Sequence, residues 1–432
     1  MTSCTLFEFD SVVAAGLGAT GHTVPPQVFA WLESQCLAYD GGAPSWLKVS
    51  QRGKLKAIQF ASHVGVVRAP CGFQIEILPK IGKKSSADEA RACLVEMLQC
   101  LAEFRHIKIA DAHLATVRIP LLEVFIKQFL GEVNSVVKRG LRSDYIAQEG
   151  NLPTLRGKLL IGRHLSQNLM RPDRFYSSHD NFSQDRAENR LIHAALRIVQ
   201  AICKTFENQR LARELCFVFA DVPTSTDVKL DINHVQLGRG MGYYAAALEW
   251  AKMILAKLSP IVGTGAQQAQ SLLFPMEVVF EAYVGKHLTR QLPAKFILDA
   301  QCSRHYLVGH REARWFKLKP DLVVRDRHTN YVVLDTKWKL LDATKDNARD
   351  KYQLSQGDFY QLYAYGHHYL DGKGIIVLIY PKTDAFSLPL QVFDFPKSAG
   401  MHLWVLPFCI STGKLILPDT GQLDIYFEHR AV

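Results

Sequence analysis

The 432-residue chain lacks several features that mark common protein classes. Its nine cysteines include no C-x-x-C pair, so neither a structural zinc site nor a disulfide framework is indicated, and we expect a reducing compartment. No uncharged apolar run is long enough to span a bilayer, and the N-terminus has no basic segment leading into an apolar core. These absences predict a cytoplasmic protein with no membrane association.

Nucleotide-binding and hydrolase signatures are also missing. No G-x-x-x-x-G-K-[ST] loop occurs, so we expect this chain to bind no nucleotide and any NTPase activity to come from another protein. Residues 16–21 match G-x-G-x-x-G, but residues 22–26 intervene before any helix, which a dinucleotide-binding fold does not allow. No G-x-S-x-G occurs, and His367 and His368 have no acidic partners at metal-ligand spacing.

The chain does have an ordinary globular composition and an excess of positive charge. It is 48% hydrophobic, and 51 Lys and Arg against 41 Asp and Glu leave a net charge of +10. This length predicts two or three domains. The charge favours an anionic partner, and its alternative explanation is solubility alone.

Half of this excess lies between Lys138 and Arg174, where eight basic residues stand against three acidic ones. Arg156 and Lys158 lie in the middle of this stretch. Clustered cations of this kind can contact DNA phosphates or an acidic partner surface. The alternative is a solvated face without a partner.

Hydrophobic periodicity changes twice along the chain. Residues 45–80 alternate as strands do, with Gln74 and Glu76 on the polar side of a half-buried strand, and a capping box at residues 86–89 precedes a helix. Residues 119–258 carry apolar stripes at helical spacing.

A third pattern begins near Phe274. A helix from Met276 is followed by strands, among them residues 316–324, and then by a helix at 355–370 and a buried strand at 374–380. We therefore predict an α+β multidomain protein. Its three parts are a β-rich N-terminal region (1–115), a mainly helical middle region (116–265) and a C-terminal α/β domain (266–432).

Two short motifs in the C-terminal part can carry chemistry. Pro320-Asp321 and Asp335-Thr336-Lys337 lie on strand-like runs that a polar turn separates, so we expect a hairpin. Residues i and i+2 of a strand share a face, so Asp335 and Lys337 should point the same way, with Thr336 opposite and Asp321 beside them. Two carboxylates and a lysine can hold Mg²⁺ against a phosphodiester and stabilise its developing charge. The alternative is two salt-bridged surface strands.

This order of elements and motifs resembles the PD-(D/E)xK nuclease superfamily. Gln361 and Tyr365, four residues apart on one face of the next helix, resemble the Q-x-x-x-Y feature of RecB-like nucleases. Longer stretches resemble the McrC family, the nuclease subunits of McrBC 5-methylcytosine-dependent restriction systems. These stretches are residues 73–81, 139–141, 155–159, 185–190, 280–281 and 334–339.

The resemblance implies a role for each matching residue. Asp321 and Asp335 correspond to metal-binding acids, Lys337 to the catalytic lysine, and Thr336 to a residue whose backbone carbonyl reaches the metal. Glu281 corresponds to the acid that completes the site. The implied cofactor is Mg²⁺, for which Mn²⁺ can substitute.

The sequence leaves an alternative for the completing acid and indicates a basic stretch near the site. Glu277, one turn before Glu281, is the alternative for the completing acid. Arg311 and Arg314 belong to a basic stretch just before Asp321 that would suit contact with a DNA backbone.

The resemblance also implies a function in phage defence. It implies an endodeoxyribonuclease subunit that cuts double-stranded DNA and stimulates the GTPase activity of a partner, an McrB-like AAA+ hexamer. One alternative is a stand-alone RecB-like nuclease, which would cut DNA without GTP. Another is a non-catalytic assembly factor, for which replacing Asp335 would leave restriction intact.

Overall fold

The structure is a computed structural model that describes residues 3–16, 21–37, 46–53, 55–81, 86–101, 120–257, 270–398 and 400–427. Most of the G-x-G-x-x-G match (residues 17–20) lies outside the described residues, as do both predicted domain boundaries, 115/116 and 265/266. In the part of the chain that is described, no helix has the length and apolarity needed to cross a membrane.

The N-terminal part is β-rich, as predicted. Its elements are β1 (Ser3–Phe7), β2 (Ser11–Ala14), β3 (His22–Val24), α1 (Pro26–Leu37), β4 (Leu47–Arg52), β5 (Leu55–Phe60), β6 (His63–Arg68), β7 (Gln74–Leu78) and α2 (Ala87–Leu98). The predicted capping box begins α2, since the hydroxyl oxygen of Ser86 accepts a hydrogen bond from the Glu89 backbone and the Glu89 carboxylate accepts one from the Ser86 backbone.

The prediction that β7 is half-buried was wrong, because both faces of this strand are covered. Gln74 is 6% and Glu76 4% exposed, so both are buried together with the isoleucines of the strand. The Glu76 carboxylate accepts hydrogen bonds from the guanidinium of Arg91 at 2.8 Å and from the backbone N–H of Leu121 at 2.8 Å. A buried charge is tolerated when it is paired and hydrogen-bonded in this way.

The middle part is helical, as predicted, but it also contains a sheet. Its elements are α3 (Leu121–Arg139), β8 (Asp144–Leu152), β9 (Lys158–Leu159), α4 (Ile161–Asn168), β10 (Phe175–Ser183), α5 (Ala187–Ile202), α6 (Phe206–Val218), α7 (Val228–His234) and α8 (Ala245–Lys257). The sheet has the order β8-β10-β9. Its strands are mostly exposed, so no alternation of apolar residues signalled them.

The C-terminal part is mixed α/β. Its elements are β11 (Gln270–Pro275), α9 (Met276–Gln291), β12 (Ile297–Ala300), β13 (His305–His310), β14 (Ala313–Leu318), β15 (Leu322–Arg325), β16 (Asn330–Thr336), α10 (Gln356–Tyr369), β17 (Gly374–Pro381), β18 (Phe393–Asp394), β19 (Met401–Cys409) and β20 (Lys414–Leu415). The predicted single strand at 316–324 is in fact two strands. Pro320, which cannot donate a ladder hydrogen bond, lies between them.

A seven-stranded sheet organises this part, in the order β12-β15-β16-β17-β19-β18, with β20 beside β19. The predicted hairpin is β15 with β16, which are antiparallel, and β16, β17 and β19 run parallel. Alternate residues of the central strands point to opposite faces. Leu334 and Val377 pack in the same core as α9, while Val333 and Leu378 pack in the same core as α10.

One strand links the ends of the chain. β11, which directly precedes α9, pairs antiparallel with β6 and gives the N-terminal sheet the order β1-β7-β6-β11. The N-terminal sheet therefore includes residues from beyond the predicted boundary at 265/266.

Candidate active site

The two predicted acids and the lysine meet where β15 begins and β16 ends. The register that pairs Leu322 with Leu334 places Asp321 opposite Asp335. The Lys337 ammonium lies 2.7 Å from Oδ2 of Asp335, as the i, i+2 spacing predicts. Asp335 is 1% exposed, so the hairpin brings a buried carboxylate and a cation together beside a second acid.

Thr336 belongs to the other face of the sheet but still contacts Asp321. Its backbone N–H and its hydroxyl each donate a hydrogen bond to Oδ2 of Asp321, both at 2.7 Å. These bonds fix the carboxylate of Asp321 at the end of the hairpin.

Burial and like charge control the protonation of the site. Burial, followed by the nearby Asp321 carboxylate, raises the pKa of Asp335 to about 7, although Lys337 acts in the opposite direction. Burial alone would lower the pKa of Lys337, but the carboxylates of Asp335, Asp358 and Asp321 raise it above its usual value. The site therefore contains a lysine that stays charged and a carboxyl group that a cation would help to ionise.

Helix α10 contributes an acid that sequence reasoning missed. Asp358 lies 3.7 Å from the Lys337 ammonium and is the second carboxylate that this lysine contacts. A signal was available, because Asp358 precedes Gln361 by three residues and so lies on the same face of the helix.

The Gln361 and Tyr365 side chains contact each other, as their spacing predicts. The Gln361 amide donates to the Tyr365 hydroxyl at 2.6 Å, and that hydroxyl donates to the carbonyl oxygen of Lys319 at 3.0 Å. One turn later, the Tyr369 hydroxyl donates to the carbonyl oxygen of Leu318 at 3.0 Å. Helix α10 thus holds the backbone immediately before Asp321.

Of the two alternative glutamates on α9, Glu281 is the one beside the predicted acids. It accepts a hydrogen bond from the Gln301 amide at 3.1 Å, and burial together with the Asp321 carboxylate raises its pKa. Glu277 is exposed, and its charge affects His63 instead. Burial lowers the pKa of His63, and the Glu277 carboxylate partly offsets this shift.

A second buried network adjoins the site on the side of the N-terminal sheet. Glu8, which is 0% exposed, accepts hydrogen bonds from the Trp338 indole at 2.9 Å and from the Lys80 backbone at 3.0 Å. The Lys80 ammonium donates to the carbonyl oxygen of Trp338 at 3.0 Å. Burial raises the pKa of Glu8 despite the nearby Lys80. Trp338, the residue that follows Lys337, is thus held by Glu8, which directly follows β1, and by Lys80.

The donor set fits a hydrated hard cation. Within the described ranges, no group of three or more His, Cys, Asp and Glu side chains could hold a metal ion alone. Among the described residues, the polar partner of the buried Oδ2 of Asp335 is the Lys337 ammonium at 2.7 Å, so this carboxylate keeps lone pairs that a cation could use. Mg²⁺ keeps several waters and needs few protein carboxylates, which suits Asp321 and Asp335.

The four cations predicted to contact DNA or a partner are all exposed. Arg311 and Arg314 are exposed on the hairpin of β13 and β14, which ends three residues before Asp321. Arg156 and Lys158 are exposed in the middle part, at the edge of the β8-β10-β9 sheet.

Comparison with known proteins gives a family and a fold. The model of the family described as McrBC 5-methylcytosine restriction system component matches residues 58–381. A chain of a refined half-complex, from the tetradecameric assembly of Thermococcus gammatolerans McrB AAA+ hexamers with bound McrC, has a TM-score of 0.69 at 20% identity and covers 96% of this chain and 97% of its own.

A second solved structure is also similar. A chain of the cryo-EM structure of the Thermococcus gammatolerans McrBC complex has a TM-score of 0.50 at 20% identity, and the match covers 67% of this chain and 88% of that one. At this identity both likenesses concern the fold. No curated protein matches the chain.

Proposed function

This chain belongs to the McrBC 5-methylcytosine restriction system component family, and on that premise we propose that it is the DNA-cleaving subunit of a modification-dependent restriction complex. It would be a Mg²⁺-dependent endonuclease with a PD-(D/E)xK site. The observation that carries this proposal is the meeting of Asp321, Asp335 and Lys337 at one end of the β15–β16 hairpin, with the ammonium 2.7 Å from a buried carboxylate. Two salt-bridged surface strands would not bury Asp335 to 1% exposure.

We assign each residue of the site a role that the family resemblance implies and that its contacts support. Asp321 and Asp335 would hold Mg²⁺, and Glu281 would complete the site beside Asp321. When bound, the ion supplies Lewis acidity toward the phosphodiester. Lys337, which the surrounding carboxylates keep charged, would face the negative charge that develops on the phosphate, and Asp358 would hold it in place.

We further propose an AAA+ GTPase partner resembling McrB, whose GTP hydrolysis this chain stimulates. The support is that the similar Thermococcus chain belongs to an assembly of McrB AAA+ hexamers with bound McrC, together with the absence of a Walker A loop here. The candidate contact is the basic stretch from Lys138 to Arg174. Helix α4 and the residue after it also expose apolar side chains, among them Leu165 at 54% and Leu169 at 75% exposure. Exposed apolar residues grouped with cations suit a protein interface.

Plasmid cleavage tests the proposal. Purified chain, the GTPase partner, GTP and Mg²⁺ should cut methylated plasmid, and Asp335→Ala should abolish cutting while the assembly still forms. The matched control is Asp346→Ala, which removes an exposed carboxylate outside the site and should cut normally.

Two other results would contradict this assignment. Cutting by the chain alone, without partner or GTP, would favour a stand-alone nuclease. Undiminished cutting by Asp335→Ala would favour an assembly factor without a catalytic role.

A further inference from the structure

The hairpin of β13 and β14, here called the ribbon (residues 305–318), pairs only with itself among the described strands. Every residue from Leu307 to Lys317 is exposed, on both faces of the two strands. A two-stranded hairpin in water is marginally stable without a surface to pack on. We therefore expect the exposed part of the ribbon to pack against a partner.

The chemistry of the ribbon is cationic and aromatic. Arg311, Arg314 and Lys317 form no ion pair with any residue that the structure describes, and Glu312 is the one acid between Leu307 and Lys317. Trp315 is 48% exposed and Phe316 68% exposed. Two adjacent exposed rings grouped with cations that form no ion pair among the described residues suit a partner that is anionic and that can pack against flat rings.

Phe316 is also strained. Its φ of 55° lies in the left-handed region, which a bulky side chain rarely adopts. The residue falls in a gap of the register, between the pairs Val308–Trp315 and Tyr306–Lys317. Such strain persists only where the surroundings or a function maintain it. Here it places a second exposed ring beside Trp315, at 6.5 Å between centroids.

We propose that the ribbon enters a groove of the duplex DNA beside the bond to be cut. This inference rests on the proposed function and adds the element that grips the substrate. The major groove, about 12 Å wide, admits a two-stranded ribbon. Arg311, Arg314 and Lys317 would pair with phosphates, and Trp315 and Phe316 would contact sugars and base edges. A second copy of this chain would bring like charge against these cations.

The base of the ribbon is joined to the segment that carries the first acid of the site. β14 ends at Leu318, three residues before Asp321. The Tyr369 hydroxyl holds the carbonyl of Leu318 and the His305 ring lies 4.6 Å from the Tyr369 ring, so the base of the ribbon is fixed on α10. The same helix carries Asp358, which contacts Lys337. Helix α10 therefore contacts both the base of the ribbon, which would bind the substrate, and the lysine of the candidate active site.

Tryptophan fluorescence tests the contact directly. Of the six tryptophans, Trp315 is the exposed one; Trp46 is half-buried and the others are buried. Full-length chain in Ca²⁺, which removes cleavage from the measurement, should show less acrylamide quenching when a 20-base-pair duplex is added. Trp315→Phe should lose this change while still binding. A single strand of the same length should protect Trp315 less than the duplex does.

Salt dependence tests the charges. Replacing Arg311 and Arg314 by Gln should lower the slope of log K against log salt by about 2, because each phosphate contact releases roughly one counterion. The matched control replaces two exposed cations of the middle part, Arg213→Gln with Lys229→Gln, and should leave the slope unchanged.

Phe316→Gly should keep or raise Tm, since glycine tolerates this φ, yet weaken duplex binding on the order of tenfold.

The outcomes separate this inference from the proposed nuclease function. Duplex binding with unchanged Trp315 quenching, an unchanged salt slope in the double variant, or protection of Trp315 by the GTPase partner instead of DNA would overturn the ribbon assignment. If the ribbon responds to duplex as expected but wild-type complex never cuts plasmid in Mg²⁺, the ribbon assignment stands and the nuclease function fails.

Discussion

A carboxyl group buried as fully as that of Asp335 destabilises a folded chain at neutral pH unless a cation compensates it. Lys337, 2.7 Å away, supplies part of that compensation. The Asp321 carboxylate across the hairpin has the opposite effect, because its negative charge disfavours ionisation of Asp335. Sites built for metal binding commonly trade stability for function in this way. At the scale of single residues, the cluster therefore lowers the stability of the fold when no cation is bound, and the Mg²⁺ that we propose there would offset this cost.

Asp335→Asn should stabilise the metal-free protein at pH 8. The pKa of Asp335 is raised in the folded state from 3.8 to about 7, so its contribution to the free energy of unfolding decreases as pH rises across that interval. The variant lacks this loss and should gain about 1–3 kcal/mol at pH 8 but nothing near pH 4. Urea unfolding in EDTA at several pH values measures the difference. Asp346→Asn is the control, and lower stability of Asp335→Asn at pH 8 would contradict this account.

Sequence reasoning located the residues of the site that are close in the chain. Asp335 and Lys337 are two positions apart and Asp321 lies across one hairpin, so strand periodicity alone predicts their meeting. The role of Glu8 was not predicted, because its hydrogen bond to Trp338 spans 330 residues and no local sequence pattern encodes such a contact. The resemblance favoured Glu281 over Glu277, and the structure adds that their neighbours differ, with Asp321 near Glu281 and His63 near Glu277.

At the scale of elements, the exposed sheet of the middle part explains why glycine stands within the stretch 155–159, which hydrophobic periodicity could not explain. Gly157 has a φ of 65°, and a Cβ there would lie 2.3 Å from the carbonyl oxygen of Ser178 on β10. Only glycine lets β9 approach β10 so closely. The flanking Arg156 and Lys158 are thereby held on an exposed edge. The sequence predicted the charge of this stretch but not its strands, because exposed strands carry no apolar alternation.

Reversing both charges, with Arg156→Glu and Lys158→Glu, should weaken binding to the GTPase partner or to DNA by roughly tenfold. The physical reason is loss of attraction to an anionic surface and the gain of repulsion from it. Pull-down with the partner and anisotropy with duplex DNA distinguish the two ligands. Arg213→Glu with Lys229→Glu, which places the same charge change on other exposed positions of the middle part, should leave both affinities unaltered. Unchanged affinity of the Arg156/Lys158 variant for both ligands would rule out this stretch as a contact.

Across the whole molecule, two features join the N-terminal part to the C-terminal part. One is the buried network of Glu8, Lys80 and Trp338, and the other is the pairing of β11 with β6. Both were invisible to sequence reasoning, which treats regions separately. The prediction of several regions with mixed α/β content agrees with the observed sheets, yet the N-terminal sheet and the candidate nuclease site share contacts.

Trp338→Phe should cost more stability than Trp404→Phe. Both indoles are buried, at 5% and 4% exposure; that of Trp338 donates to the carboxylate of Glu8, whereas that of Trp404 has no hydrogen-bond partner among the described residues. Removing a donor from a buried carboxylate should cost about 1–3 kcal/mol more than removing an indole that makes no hydrogen bond. Urea unfolding of the two variants gives the comparison. Equal losses would show that the network does not stabilise the join between the two parts.

The late position of β11 in the chain also has a consequence for synthesis on the ribosome. β6 ends at Arg68, but the strand that covers its edge begins at Gln270. At 5–20 residues per second, the edge of β6 stays unpaired for about 10 to 40 s while the helices of the middle part are made. An apolar strand left open for so long can pair with other nascent chains. We expect the N-terminal sheet to be the point at which this protein aggregates when expressed in fragments that stop before residue 270.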